Sequence, residues 1–218
     1  KSKTTALVGL SGCGKSTIAS MLMKFIYPSS GAIYLNGKDY ACMNREEIAK
    51  YIVMVPQTVS LFNDTIRNNL LVANPFASDE QLWQVLHEVS LDKHIQKMSD
   101  GLDAMVSEFG SNLSGGQKQM MGIARALLTD AEYIIFDEAT SAVDPESEKI
   151  IWDCIDKLSK KRTLIIISHR LSAIRNADQI IVLRAGAVEE IGNHDELMKN
   201  HGIYRDLVEE QNKLEVQA

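Results

Sequence analysis

Apolar residues recur along this chain in two rhythms. Short continuous runs at Thr4–Val8, Ile52–Val55, Tyr133–Phe136, Leu164–Ser168 and Ile180–Arg184 have the length and the lack of alternation of strands buried on both faces. Between them the spacing turns helical, as at Leu82, Val85, Leu86 and Val89. Such alternation predicts an α/β fold with a parallel sheet covered by helices. The punctuation agrees. A helix from Lys15 to about Met23 stops at Pro28-Ser29-Ser30-Gly31, and Ala32–Leu35 reads as a strand entering a tight turn at Asn36-Gly37. Pro56 ends the strand before it. Ser78 with Gln81, and Ser114 with Gln117, are spaced as capping boxes, the second opening a helix that runs through Arg125. Asp144-Pro145 starts another, with Asp as cap and Pro in the first turn. Gly186 makes a hairpin to Val188–Ile191, and Ile203–Leu214 closes as a helix. The helical rhythm from Phe62 to Leu128 interrupts the alternation. We therefore expect a core (1–61 and 129–218) carrying an inserted helical arm (62–128).

Composition narrows the class. A chain of 218 residues can bury a full core. Its net charge of −6 speaks against a nucleic-acid binder, which would carry a basic stripe. No run of apolar residues is long enough to span a bilayer. Cys13, Cys42 and Cys154 are too widely spaced for a disulfide framework or a zinc site, so free thiols in a reducing compartment are expected. The chain enters its first strand directly after Lys1-Ser2-Lys3 with no leader, which suggests a piece of something longer.

Three motifs carry chemistry. Gly9-Leu10-Ser11-Gly12-Cys13-Gly14-Lys15-Ser16 fits the phosphate-binding loop between a strand and a helix. Its glycines let the backbone curl so that amides face phosphate oxygens at the positive end of the following helix. Lys15 adds charge for the β- and γ-phosphates, and the Ser16 hydroxyl suits Mg²⁺. Asp137 and Glu138 end an apolar strand, at the sheet edge where open α/β sheets place ligands. Ser114-Gly115-Gly116-Gln117 puts two glycines in a first helical turn, which weakens the helix and exposes amides at its positive end.

In this order the three motifs, with Leu113, Lys118 and Ile123-Ala124-Arg125-Ala126 around the middle one, resemble the ATPase module of ABC transporters, exporter type. The resemblance implies a P-loop NTPase core with a parallel sheet and an inserted α-helical signature subdomain. It implies ATP and Mg²⁺ as cofactors, ATP hydrolysis coupled to transport, and placement on the cytoplasmic face of a membrane. Partners would be a second ATPase module, stacked head to tail, and transmembrane domains, with no nucleic acid. Carried over by position, the catalytic residues would be Glu138, His169, Gln57 and Lys15. Nucleotide would meet Gly9, Ser11, Gly12, Cys13, Gly14, Lys15, Ser16, Thr17 and Gln57 of one module, and Ser114, Gly115, Gly116 and Gln117 of the other. Ser16, Gln57 and Asp137 would hold the metal. His169 resembles the switch histidine, and it alone among the five histidines closes an apolar strand. Ser141-Ala142-Val143-Asp144 resembles the loop that crosses between modules, and Glu108 with Gly110 the segment that touches membrane-domain loops. The aromatic that stacks on adenine in this family, and the strands that carry it, would lie upstream of Lys1. Two other classes stay open. A soluble ABC ATPase would need a long coiled coil, for which the stretch between Phe62 and Ser114 is too short. A binding-only half-site of an asymmetric transporter is the other.

Overall fold

Thr4–Val8 (β1) has apolar side chains on both faces, and Ala6 and Val8 are fully buried. In the computed structural model, which describes residues 2–141 and 143–217 with side chains through 213, β1 is followed by α1 (Lys15–Leu22), β2 (Tyr34–Leu35), β3 (Lys38–Asp39), α2 (Arg45–Ala49) and β4 (Ile52–Val55). Then come α3 (Ile66–Leu71), α4 (Asp79–Glu88), α5 (Asp92–Gln96), α6 (Gly115–Leu128), β5 (Tyr133–Asp137) and α7 (Pro145–Ser159). The remainder is β6 (Thr163–Ile167), β7 (Gln179–Arg184), β8 (Ala187–Gly192), α8 (His194–Lys199) and α9 (Ile203–Gln217).

Two compact units result. One comprises the residues up to Met54, Glu132–Glu138 and Ser159 onward; the other comprises Val55–Ala131 and Ala139–Leu158. The first is built on a six-stranded sheet of order β4-β5-β6-β1-β7-β8, with β5, β6, β1 and β7 parallel and β8 an antiparallel edge. Leu7, Ala19, Tyr40, Ile48, Ile135 and Ile167 share one hydrophobic cluster in it, which joins the sheet to α1 and α2. Strand register aligns the connections that leave this sheet. Ile167 lies opposite both Leu7 and Asp137, so β1, β6 and β5 end level at their carboxyl edges.

In the second unit α3, α4 and α6 pack together around Leu70, Leu82, Leu86 and Met121. The stretch 139–158, assigned to the core from the sequence, clusters with these helices instead. Gly116 at the start of α6 meets Ser147 in the first turn of α7 so closely that any Cβ would overlap the serine side chain.

Other differences are local. The strand expected at Ala32–Leu35 is only Tyr34–Leu35 and pairs with β3 in a separate ribbon, turning on Asn36 (φ 50°) and Gly37 (φ 80°). β6 stops at Ile167, because the Ser168 hydroxyl accepts the Arg170 N–H at 3.0 Å and bends the chain away. Helices α2 and α8 are additional to the elements expected from the sequence. Each opens on a reciprocal capping box, Asn44 with Glu47 and Asn193 with Glu196. Among the described residues no helix is long and apolar enough to cross a membrane.

Candidate nucleotide site

The level strand ends bring three connections to one edge of the first unit. From β1 the chain enters the glycine loop, whose Gly9, Gly12 and Gly14 all have positive φ. Gly9 has no room for a side chain, since a Cβ would overlap the Leu183 carbonyl; Gly12 and Gly14 face open space. Helix α1 starts at Gly14 with no side-chain cap and no acid in its first turn. Its orphan N–H groups and positive dipole end are thus left for an anion. Lys15, 5% exposed, folds its ammonium back onto the loop and donates to Gly9 O at 2.8 Å and Leu10 O at 3.1 Å. Cys13 is buried, with its Sγ 3.7 Å from Lys15 Nζ.

From β5 come Asp137 and Glu138. Glu138 adopts a left-handed backbone (φ 51°), which costs a non-glycine residue on the order of 1 kcal/mol. The conformation is held by its N–H, which donates to Ile167 O at 2.8 Å. From β6 comes His169, half exposed, whose Nε2 lies 2.5 Å from Glu138 Oε1. Ser11, Gly12, Gly14, Lys15, Ser16, Thr17, Glu138 and His169 together line an open cleft of about 170 Å³. Burial, then the adjacent Glu138 charge, pushes the Asp137 carboxyl above its ordinary range, while Lys15 and His169 pull it back.

That shift has a sign. A carboxyl whose folded pKa is raised favours folding while protonated, below its unfolded pKa, and this contribution is lost as pH climbs through the raised value. At neutral pH the ionised Asp137 therefore works against folding. Asp137→Asn should raise the melting temperature of the nucleotide-free, chelator-treated protein by a few degrees at pH 7.5, and the gain should vanish toward pH 4. Melting curves across that range check it; a parent more stable than the variant at pH 7.5 would contradict the electrostatic assignment.

The remaining sequence-predicted residues belong to the second unit. Gln57 follows β4, and its Nε2 donates to Ser141 Oγ at 3.0 Å. Ala142 lies outside the described residues; Asp144, two positions on, accepts the Ser147 N–H at 2.9 Å and is held below the usual carboxylate range by that contact first. Ser114 Oγ accepts from Gln117 N–H at 3.2 Å, and Ser114 N–H donates back to Gln117 Oε1 at 2.9 Å. Ser114 and Gly115 are exposed, and Gly116 is buried against α7. Glu108–Gly110 is a 3₁₀ turn that presents an exposed Phe109 in a left-handed conformation.

Sequence reasoning missed the residues that tie the Gln57 loop to α6. At successive turns of α6, Gln119 Nε2 donates to Pro56 O at 3.0 Å, Gly122 leaves space for Val59, and Arg125 donates to Ser60 O at 2.7 Å. Arg125 also holds Asn69 O and Asn69 Oδ1, each at 2.7 Å, and the buried Asn69 Nδ2 donates to Phe62 O at 3.0 Å. The spacing of three along α6 was readable; its partners 56–65 residues away were not.

Residues 1–141 match the family model described as ABC transporter. The chain belongs to the ABC transporter family. It is that family's nucleotide-binding module, of the exporter type. It is 46% identical over 95% of its length to an ATP-dependent lipid A-core flippase of Vibrio vulnificus, of which it covers 36%. It is 43% identical, again over 95% of its length, to P-glycoprotein 14 of Caenorhabditis elegans, of which it covers 16%. Among solved structures, a bacterial Atm1-family ABC exporter with ATP bound superposes with a TM-score of 0.91 at 36% identity, covering 97% of this chain and 37% of that one. The chain thus spans little more than a third of these relatives, or less.

Proposed function

We propose that this chain binds and hydrolyses ATP to power export by a membrane transporter, acting from the cytoplasmic face as one of two modules stacked head to tail. The observation that carries the reading is the single cleft in which the phosphate loop, Glu138 and His169 meet. The uncapped start of α1 and the amides of Gly12 and Gly14 take phosphate oxygens. Lys15 leaves its loop carbonyls for the β- and γ-phosphates. Glu138 orients and deprotonates the attacking water, and His169, in contact with it, meets the γ-phosphate. Phosphoryl transfer asks for this kind of positioning and charge neutralisation rather than covalent chemistry.

The donor set suits Mg²⁺. In the first unit the Ser16 hydroxyl and the Asp137 carboxylate are hard oxygens, and this ion is held by one or two carboxylates together with nucleotide phosphates and water. When bound it would neutralise phosphate charge. It would also relieve the cost of ionised Asp137.

Ser114–Gln117 offers a second helix start, capped by Ser114 Oγ but with Gly115 exposed, and we assign it to the nucleotide held by the other module. Membrane domains would dock on the second unit near the exposed Phe109 turn. A module that binds without turnover is disfavoured by the Glu138–His169 contact, which ATP binding alone does not require.

Lys15→Ala tests the phosphate site directly. Removing a charge-assisted contact should weaken ATP binding at least about tenfold in calorimetry. Equal affinity in variant and parent would rule out the phosphate-loop reading.

A further inference from the structure

We infer that Gln211, on the last helix, is a positioning residue for His169; the inference rests on the reading of His169 as the γ-phosphate contact. His169 lies in a short connection between the end of β6 and a 3₁₀ turn, Leu171–Ile174. On its upstream side the chain is fixed to the sheet. Ile167 O accepts the Glu138 N–H at 2.8 Å, and the buried Ser168 Oγ accepts the Arg170 N–H at 3.0 Å. On its downstream side the turn opens without a local cap, since Arg170 makes no side-chain bond to it.

The orphan donor there is Leu171 N–H. It donates to Gln211 Oε1 at 2.8 Å, from a residue 40 positions further along the chain. A side chain of α9 therefore caps the turn on which His169 hangs. The contact is partly shielded from water: Leu171 and Ile174 are buried, and Gln211 is half-buried. Leu207, one turn before Gln211, lines with it a cleft of about 290 Å³ that also includes Gly9, Leu10, Ser11 and His169. The last helix thus stands beside the phosphate loop and holds the histidine's backbone without reaching the reacting atoms. Gln suits the task because its amide oxygen accepts the Leu171 N–H.

Without this acceptor the turn loses its anchor, and the imidazole samples positions away from Glu138. Displacement of a catalytic group by about 1 Å costs up to roughly a hundredfold in rate while leaving ground-state binding largely intact. Gln211→Ala should accordingly lower kcat about tenfold with the KM for ATP within about twofold of the parent. Gln211→Glu, which keeps an acceptor oxygen, should recover most of the loss; Gln211→Met, which fills the space without an acceptor, should not. Asn212→Ala, an exposed neighbour, should match the parent. Hydrogen exchange gives a readout independent of turnover: the Leu171 amide should exchange at least about tenfold faster in the Ala and Met variants than in the Glu variant. Should the Ala variant not fold, the Met and Glu pair still decides the question.

Full kcat in Gln211→Met, or equal impairment of the Met and Glu variants, would overturn the inference. His169→Ala separates this from the reading beneath it. If His169→Ala keeps parental turnover, the role of His169 itself fails. If it is inactive while Gln211→Met is fully active, only the role of Gln211 fails. Adding Gln211→Met to His169→Ala should cause no further loss.

Discussion

Glu138→Gln should abolish turnover while leaving ATP binding intact. The amide keeps the size and left-handed backbone of the parent residue, and its oxygen still faces His169, but it cannot take a proton from water. General bases contribute about 10²–10⁴-fold, so steady-state hydrolysis should drop by at least the lower figure. The phosphate loop, with Lys15 on the Gly9 and Leu10 carbonyls and the uncapped start of α1, is untouched by the change. ATP would then bind without being consumed, and the two-module state it stabilises should accumulate. A Glu138→Gln chain should run as a dimer on a sizing column with ATP and as a monomer without it. Undiminished hydrolysis would remove Glu138 from the role of base.

How far the chain announced this site can be read residue by residue. The phosphate loop, the strand ending in Asp137-Glu138 and the capping box at Ser114 were all legible, because each is a local pattern with a local cause. Helices α2 and α8 were legible too, through Asn44 with Glu47 and Asn193 with Glu196, though a reading confined to Ser-x-x-Gln boxes passes them over. What could not be read is what distance decides. The register that levels Leu7, Ile167 and Asp137 is a property of three strands far apart in the chain, and nothing in any one of them encodes it. Left-handed Glu138 carries no sequence signal, since that conformation favours Gly, Asn and Asp. Arg125 sat inside a recognised stretch, yet its partners Ser60 and Asn69 became visible only in three dimensions. Gln211 lies in a polar helix end that offered no reason to single it out. Gly116, expected from the sequence to expose backbone, is buried in the fold, where it lets α6 approach Ser147.

The central claim is that one chain holds two halves of different sites, and mixing two inactive chains tests it. Lys15→Ala cripples the phosphate loop but leaves Ser114–Gln117 whole. Ser114→Arg places a large cation at the start of α6, where Ser114 Oγ now caps Gln117 N–H, but leaves the phosphate loop whole. The lost cap should lower stability by about 1 kcal/mol, too little to unfold a domain of this size. Each variant alone should hydrolyse no ATP above background. Mixed in equal amounts, half of the dimers pair the two variants, and each such dimer has one whole site of two, so up to about a quarter of the parental rate should return. The recovered rate should rise faster than linearly with protein concentration, as a two-chain site requires. A mixture as inactive as its folded components would contradict the account, and activity in either variant alone would show that a single chain completes its own site.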